Sequence, residues 1–289
     1  MKVLGLTLCA LMVIPVVSRA QVTVEVVLEQ EQFLGGEALP VAVRITNRSG
    51  QTLRMGNEPD WLTFSVESRE GFVVVKTDEV PVLGAFELES SKVATKRVNL
   101  SPHFVLPKQG RYNVTASVNI KEWNGQVASR PKSFDIIAGA RLWSQDFGIP
   151  LSAGETNLAP EVRRFTLEQA NYLKSQVRLY MRLTDVTGEK VFKVVPVGPM
   201  VSFGQPEAQL DKLSNLHVLY QNRARTFTYN VFNTDGDLVT RQTYDNFNSR
   251  PRLKADEAGK IGVTGGQRRA TAGDVPARES TEATNSPQL

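Results

Sequence analysis

The chain is poor in the residues that most catalytic and metal chemistry needs: one cysteine, Cys9, and two histidines, His103 and His217, in 289 residues. A lone cysteine cannot close an internal disulfide, so stability has to come from hydrophobic cores. Without cysteine pairs, and without a His-x-x-x-His or similar pair, the usual zinc spacings are missing, and neither metal nor cofactor is expected. A histidine-centred catalytic apparatus would need a nucleophile and an orienting acid beside one of the two rings. His103, in Ser101-Pro102-His103-Phe104, reads as a strand-edge residue, and His217 alternates with Leu216 and Val218 on a strand. A surplus of one charge is lacking too. The 34 Lys+Arg face 30 Asp+Glu, and setting aside Lys2 and Arg19 of the leader leaves 32 against 30, a net +2. The longest basic blocks are Arg163-Arg164 and Arg268-Arg269, so nucleic acid is not an expected partner. Helical periodicity is absent from residues 22–140. The one apolar run of note, Val3 to Val17, falls short of the roughly 20 residues that a membrane-spanning helix needs.

That run has the marks of a cleavable export signal over residues 1–20: Lys2 as the positive start, the apolar stretch, and Ser18-Arg19-Ala20 as a small-x-small cleavage site. Its removal takes Cys9 with it. The mature chain is therefore expected to be secreted or periplasmic, with no thiol and no transmembrane anchor. Lipid attachment at Cys9 is the rival, through Leu6-Thr7-Leu8-Cys9, but Leu8 is larger than a lipobox accepts and most of the apolar run follows the cysteine. The roughly 270 residues that remain suffice for two domains with real cores.

From residue 21 to 140 the pattern is short alternating runs cut by turns. Val22 to Leu28, Leu39 to Thr46, Trp61 to Glu67, Phe72 to Lys76, Val93 to Leu100, Gly110 to Ile120 and Lys132 to Ala138 give about seven strands, the mark of an antiparallel β-sandwich. Phe33-x-x-Gly36-Glu37 before a strand, Ile45 to Gly50 after it, Leu100-Ser101-Pro102, and Gly110-Arg111-Tyr112 opening a late strand resemble the immunoglobulin-like domains of exported bacterial proteins. The resemblance covers residues 22–140 and brings no catalytic residues with it; the antibody-type cysteine pair is absent.

Residues 141–176 read as an ordered, turn-rich connector with Pro150, Gly154 and Pro160; Phe165 to Leu173 within it suits a short helix or a strand. Over 177–266 one scheme recurs three times: strand, acidic turn closing on glycine, strand. Leu179 to Val191, Phe227 to Val239 and Arg252 to Val263 are the three hairpins, with Gly188, Gly236 and Gly259 where the turn needs positive φ and Asp185, Asp235 and Asp256 placed to bond their own backbone. Leu216 to Tyr220, the Asp235-Gly236 hairpin and Ser249 to Leu253 resemble β-propeller blade fragments. The stretch holds strands for only about two blades, so an open antiparallel hairpin-repeat sheet is expected. Residues 267–289, nearly without large apolar side chains, are expected to be a disordered tail. The expected fold class is thus all-β, an immunoglobulin-like sandwich followed by that open sheet.

Acidic residues such as Asp185, Asp211, Asp235, Asp245 and Asp256 sit beside turns and read as turn residues. Asn233 to Asp237 has a faint likeness to a calcium loop without its distal glutamate. Aromatic side chains carry the more specific expectation. Trp123 precedes Asn124-Gly125, a two-residue hairpin signal that would place its ring near an exposed tip, while Trp61 reads as core and Trp143 as a plug between domains. Trp123, Asn124 and Trp143 are the expected partner contacts, with no catalytic residue. The function expected is a non-enzymatic binding or scaffolding role, through β edges and loop tips, toward a protein partner or a second copy. A carbohydrate-binding protein or glycan-active enzyme using Trp123 is the alternative. A protease inhibitor presenting the loop Arg54 to Trp61 is a second one.

Overall fold

The computed structural model describes residues 21–106, 108–149, 161–173 and 176–275; the expected leader and residues 276–289 lie outside them. Among the described residues the chain is all-β apart from one short 3₁₀ turn, η1 Lys121–Trp123.

Twelve strands build the first unit. They are β1 Val22–Val27, β2 Gln32–Leu34, β3 Pro40–Asn47, β4 Leu53–Met55, β5 Leu62–Ser68, β6 Val75–Lys76, β7 Phe86–Leu88, β8 Val93–Asn99, β9 Phe104–Val105, β10 Gly110–Ile120, β11 Gly125–Ala128 and β12 Lys132–Ile137. One sheet runs β1-β3-β8; in the other, β10 pairs with β5 on one side and with β11 and β12 on the other. β2 then adds to β12 in parallel, Gln32 opposite Asp135 and Leu34 opposite Ile137. Period-two patterning produces this arrangement. Tyr112, Val114, Ala116, Val118 and Ile120 of β10 are buried on one face, as are Val41, Val43 and Ile45 of β3, and the two rows meet in one core with Phe33, Trp61, Phe64 and Phe134. Each of the valine, isoleucine and phenylalanine side chains among them, taken fully out of water, contributes about 1.5–3 kcal/mol. The Tyr112 ring stacks on Phe134 at 5.7 Å, and its hydroxyl donates to the Lys108 carbonyl at 2.6 Å, pinning the entry to β10. Asn47 fixes the turn after β3: its amide donates to the carbonyls of Gln51 and Leu88, and its oxygen accepts from the Ser49 N–H.

The second unit comprises β13 Ala140–Gly148, β14 Val162–Leu173, β15 Gln176–Asp185, β16 Val191–Met200, β17 Glu207–Leu210, β18 Leu216–Gln221, β19 Thr226–Phe232, β20 Leu238–Asp245, β21 Arg252–Ala255, β22 Ile261–Thr264 and β23 Gln267–Arg269. Instead of one open sheet, there are two sheets, β13-β14-β15-β16 and β17-β18-β19-β20-β23, facing each other. Phe165, Leu167, Met181 and Leu183 meet Leu216, Val218, Tyr220 and Phe232 between them. The three expected hairpins form, but each goes to a different place: 179–191 in the first sheet, 227–239 in the second, and 252–263 as a separate ribbon over the second sheet's outer face. Their glycines adopt positive φ as the turn chemistry requires, +80° at Gly188, +74° at Gly236 and +80° at Gly259.

Two boundaries differ from expectation. Ala140–Gly148 and Val162–Leu173 are full strands of the first sheet rather than a connector, because inward Phe147, Phe165 and Leu167 alternate with outward Asp146, Arg164 and Glu168. The turn residues Pro150, Gly154 and Pro160 fall in the link between them, outside the described residues. Residues 267–275, expected to belong to a disordered tail, are ordered instead: Gln267–Arg269 pairs with β20 and Val275 bridges to Arg241. An edge strand needs only backbone partners on one side, and here Arg268–Asp274 (2.7 Å) and Arg269–Asp245 (2.8 Å) hold it in place of apolar contacts.

The first sheet of the second unit is covered on its outer face by the first unit. Leu34 packs with Ala170, Tyr180 and Val194, flanked by Ile137. Polar bonds rim this seam: Arg182 donates to the Gly35 carbonyl at 2.9 Å and to Glu168, and Arg178 donates to Gln30 at 3.3 Å. Gln30 in turn donates to Glu37, whose other oxygen accepts from the Leu34 N–H at 2.8 Å. Burial raises the Glu37 carboxyl above its ordinary pKa, and the hydrogen bonds and the nearby guanidiniums only partly oppose this.

Candidate functional site

A candidate site lies at one end of the first sandwich, where the segment Arg54 to Trp61 meets the connection between β10 and β11. Trp61 opens β5 and is 2 % exposed; its indole N–H donates to the Val82 carbonyl at 2.8 Å and its ring meets Phe86 edge-on at 5.6 Å. It is core, as expected, and it fixes the inner end of the segment. At the outer end Gly56 has φ +83°, and a Cβ there would run into the Gly84 carbonyl oxygen, so the segment closes tightly on its neighbour only because this residue is glycine.

The β10–β11 connection is not the two-residue Asn124-Gly125 turn that the sequence signals. Ile120 pairs with Gly125, leaving four loop residues: the η1 turn Lys121–Trp123, then Asn124 in the left-handed region at φ 45°, ψ 41°. The consequence falls on Trp123. The 3₁₀ turn directs its ring back onto the core, where it is half-buried, and the exposed tip belongs to Lys121, Glu122 and Asn124.

Three bonds tie the two segments together. Lys121 pairs with Glu58 at 2.6 Å, the Asn119 amide donates to the Asp60 carbonyl at 2.8 Å, and the Arg54 N–H donates to Glu122 at 2.9 Å. The Lys121 bond holds the Glu58 carboxyl below its ordinary pKa, and Glu58 raises the Lys121 ammonium in return; both side chains are solvent-exposed, so salt screens the pair. Between the segments lies a cleft of about 500 Å³ lined by Glu58, Asp60, Asn119, Lys121, Asn124 and Gln126 over the Trp61 edge. Its walls offer carboxylates, amides and one ammonium. That inventory suits hydrogen-bonded recognition.

Trp143 is elsewhere. It lies in β13, beside the register shift between Arg141 and Trp143, half-buried against the core of the second unit. It does not plug the seam, which Leu34 and Tyr180 fill instead.

A second constellation escaped the sequence. On the outer face of the second sheet His217 Nδ1 lies 2.7 Å from the Tyr229 hydroxyl and Nε2 lies 3.2 Å from Asp211. A carboxylate only accepts, so Nε2 donates toward Asp211; in that tautomer Nδ1 is the acceptor for the Tyr229 hydroxyl. Burial acts to raise the Asp211 carboxyl, but bonds from the Asn215 side chain and backbone, from His217 and from the Leu213 N–H together bring it below its ordinary pKa. Burial pushes the Tyr229 hydroxyl strongly upward, so the phenol stays neutral. This line orders a buried imidazole between two fixed partners. Register alone could have found it, since Tyr229 faces Leu219 and so lies diagonal to His217 on the same face.

The remaining candidates resolve into local pairs. His103 lies 2.7 Å from Asp78, and that bond is the main reason the Asp78 carboxyl sits below its ordinary pKa. Asp185 and Asp256 accept the backbone N–H groups of Lys190 and Lys260, as turn residues do. In the 233–237 loop Asn233, not Asp235, takes the turn role, accepting from the N–H groups of residues 235 and 237. Asp235 pairs with Arg163 and Asp237 with Lys193, so cations already neutralise the carboxylates of the calcium-like loop. Among the described residues no three histidine or acidic side chains gather as a metal site would need.

No family model matches the chain, and no curated protein matches it. Among solved structures, the sporulation control protein Spo0M from Bacillus subtilis is similar to it, at 12 % identity and a TM-score of 0.31, over 62 % of this chain and 91 % of that one. A likeness of that degree carries neither fold nor function across.

Proposed function

We propose that this chain is an exported, non-enzymatic binding protein, built on an immunoglobulin-like sandwich and recognising a protein partner through the cleft at the end of its first unit. The strand order supports the immunoglobulin-like reading: β1, β3 and β8 in one sheet, β5, β10 and β12 in the other, the parallel addition of β2, and the Tyr112 hydroxyl bonded four residues upstream. In such sandwiches the connections before β5 and after β10 come together at one end, where loops vary without disturbing the core. The observation that carries the proposal is the bracing of those connections by Lys121–Glu58, Asn119–Asp60 and Arg54–Glu122 around a cleft whose polar groups stand over the apolar Trp61 and Ile120. A braced surface loses little conformational entropy on binding, which is what a recognition site gains from rigidity.

A photo-crosslinking amino acid placed at Asn124 or Gln126 of the full chain in its native host, with Lys92 as a control, tests this. A discrete protein adduct at the cleft positions and none at Lys92 is expected. No adduct, or the same adducts at all positions, refutes the cleft as the recognition surface. A protease-resistant carbohydrate adduct at Asn124 turns the reading to glycan.

A further inference from the structure

We infer that the opposite unit carries a docking surface for an anionic lipid bilayer, at the end of its sandwich where β16, β18 and β20 run out. This rests on different residues from the cleft and stands or falls separately. Three turns meet there. The Val201 N–H donates to the Gln221 carbonyl at 3.1 Å, joining the 201–206 segment to the β18–β19 turn, and the Asn246 N–H donates to the Arg225 carbonyl at 2.8 Å, joining that turn to the segment after β20. Each outer segment lifts a phenylalanine into water: Phe203 is 82 % exposed and Phe247 is 75 % exposed. These rank among the most exposed large apolar side chains of the described residues. They stand on separate segments, one after β16 of the first sheet and one after β20 of the second.

Between and beside them stand Arg223, Arg225 and Arg250, all exposed. Among the described residues none of the three has a carboxylate partner; Arg250 lies over the Phe227 ring at 5.3 Å and remains exposed. The acids nearby are already used, Asp245 by Arg269 and Glu207 by Arg252. Gln221 bonds the carbonyls of Arg223 and Ala224, so the central turn is a fixed platform. Two separated apolar tips flanked by unneutralised guanidiniums suit a surface into which single side chains sink while cations meet phosphate: the interface of a bilayer. A protein partner would ask for one contiguous apolar patch, and a polyanion such as nucleic acid would leave the phenylalanines without a role.

Co-sedimentation of the mature full chain with vesicles of mixed phosphatidylglycerol and phosphatidylcholine, against vesicles of phosphatidylcholine alone, tests the inference. Binding to the anionic vesicles only is expected. Each of Arg223→Gln, Arg225→Gln and Arg250→Gln should weaken it by about fivefold. Phe203→Ala and Phe247→Ala should each weaken it by roughly tenfold or more, with circular dichroism unchanged because neither ring is packed. No binding to either vesicle refutes the inference, as does binding that the phenylalanine variants leave intact, which would mark a general polyanion patch. Retained binding in Lys121→Glu would show that the cleft plays no part in it.

Discussion

Removing one side chain from the seam between the two sandwiches should uncouple them. Leu34 is 1 % exposed, and its apolar contacts are with Ala170, Tyr180 and Val194 of the other unit rather than with its own core. Its N–H bond to Glu37 is a backbone bond that alanine keeps, so Leu34→Ala subtracts apolar contact alone. Deleting a buried leucine to alanine costs about 2–5 kcal/mol, the lost transfer energy plus the cavity left behind. Among the described residues the seam core comprises four buried apolar side chains with Ile137 beside them, so that loss takes a large share of the coupling. The native chain should unfold in a single calorimetric transition. Leu34→Ala should split it in two, with the earlier one displaced downward by roughly 5–15 °C, since about 1 kcal/mol moves a domain of this size by 2–4 °C. Small-angle scattering should show the same mass with a larger radius of gyration. A single transition in the variant, moved by less than about 2 °C, would refute the reasoning, for it would mean that the polar rim and not the apolar contact holds the units together.

Two further outcomes follow from the geometry. Glu37 and Asp211 should respond to pH with opposite sign. A carboxyl raised by folding, as at Glu37, contributes stability that is present below its unfolded value near 4.5 and is lost as pH rises through the folded value; Glu37→Gln should therefore gain on the native chain as pH is raised above about 4.5 in urea titrations. A carboxyl lowered by folding, as at Asp211, contributes above its unfolded value near 3.8 and loses this as pH falls through the folded value, so the penalty of Asp211→Asn should shrink in acid. Identical slopes for both variants would contradict the assigned environments. Gly56→Ala should cost about 1–3 kcal/mol in chemical denaturation, because alanine is strained at φ +83° and its Cβ meets a backbone oxygen that cannot move aside; a loss under about 0.5 kcal/mol would show that the segment 54–61 is not held as described.

What the sequence made legible is what depends on neighbours along the chain. Alternation set the strands of β3, β5 and β10, and the glycines at 188, 236 and 259 set the hairpins, because period-two burial and positive-φ turns are local demands. What it hid is what depends on partners across space. The strands at 140–148 and 162–173 carry arginines and acids on one face, which resembles a linker until a second sheet is known to cover the other. Trp123 shows the same limit at a single residue. Asn124-Gly125 is a strong local signal for a two-residue turn, yet the pairing of Ile120 with Gly125 stretches the connection to four residues and turns the indole inward.

The line Asp211–His217–Tyr229 follows from that cross-strand geometry and has a structural cause. β18 is buried on both sides because the β21–β22 ribbon lays Leu253 and Ile261 over its outer face, against Leu219, Phe227 and Tyr229. Covering that face removes water from a histidine that would otherwise be half-solvated, and a buried imidazole left without partners costs about 1–3 kcal/mol. Tyr229 and the Asp211 turn supply both partners at once, the donor for Nδ1 and the acceptor for Nε2. The ribbon is itself tethered from the same region, Arg252 to Glu207 at 2.7 Å and Lys212 to the Ala258 carbonyl at 2.8 Å. The polar line and its apolar cover therefore require each other: lifting the ribbon would wet the histidine, and removing the histidine's partners would leave the ribbon lying over an unsatisfied group.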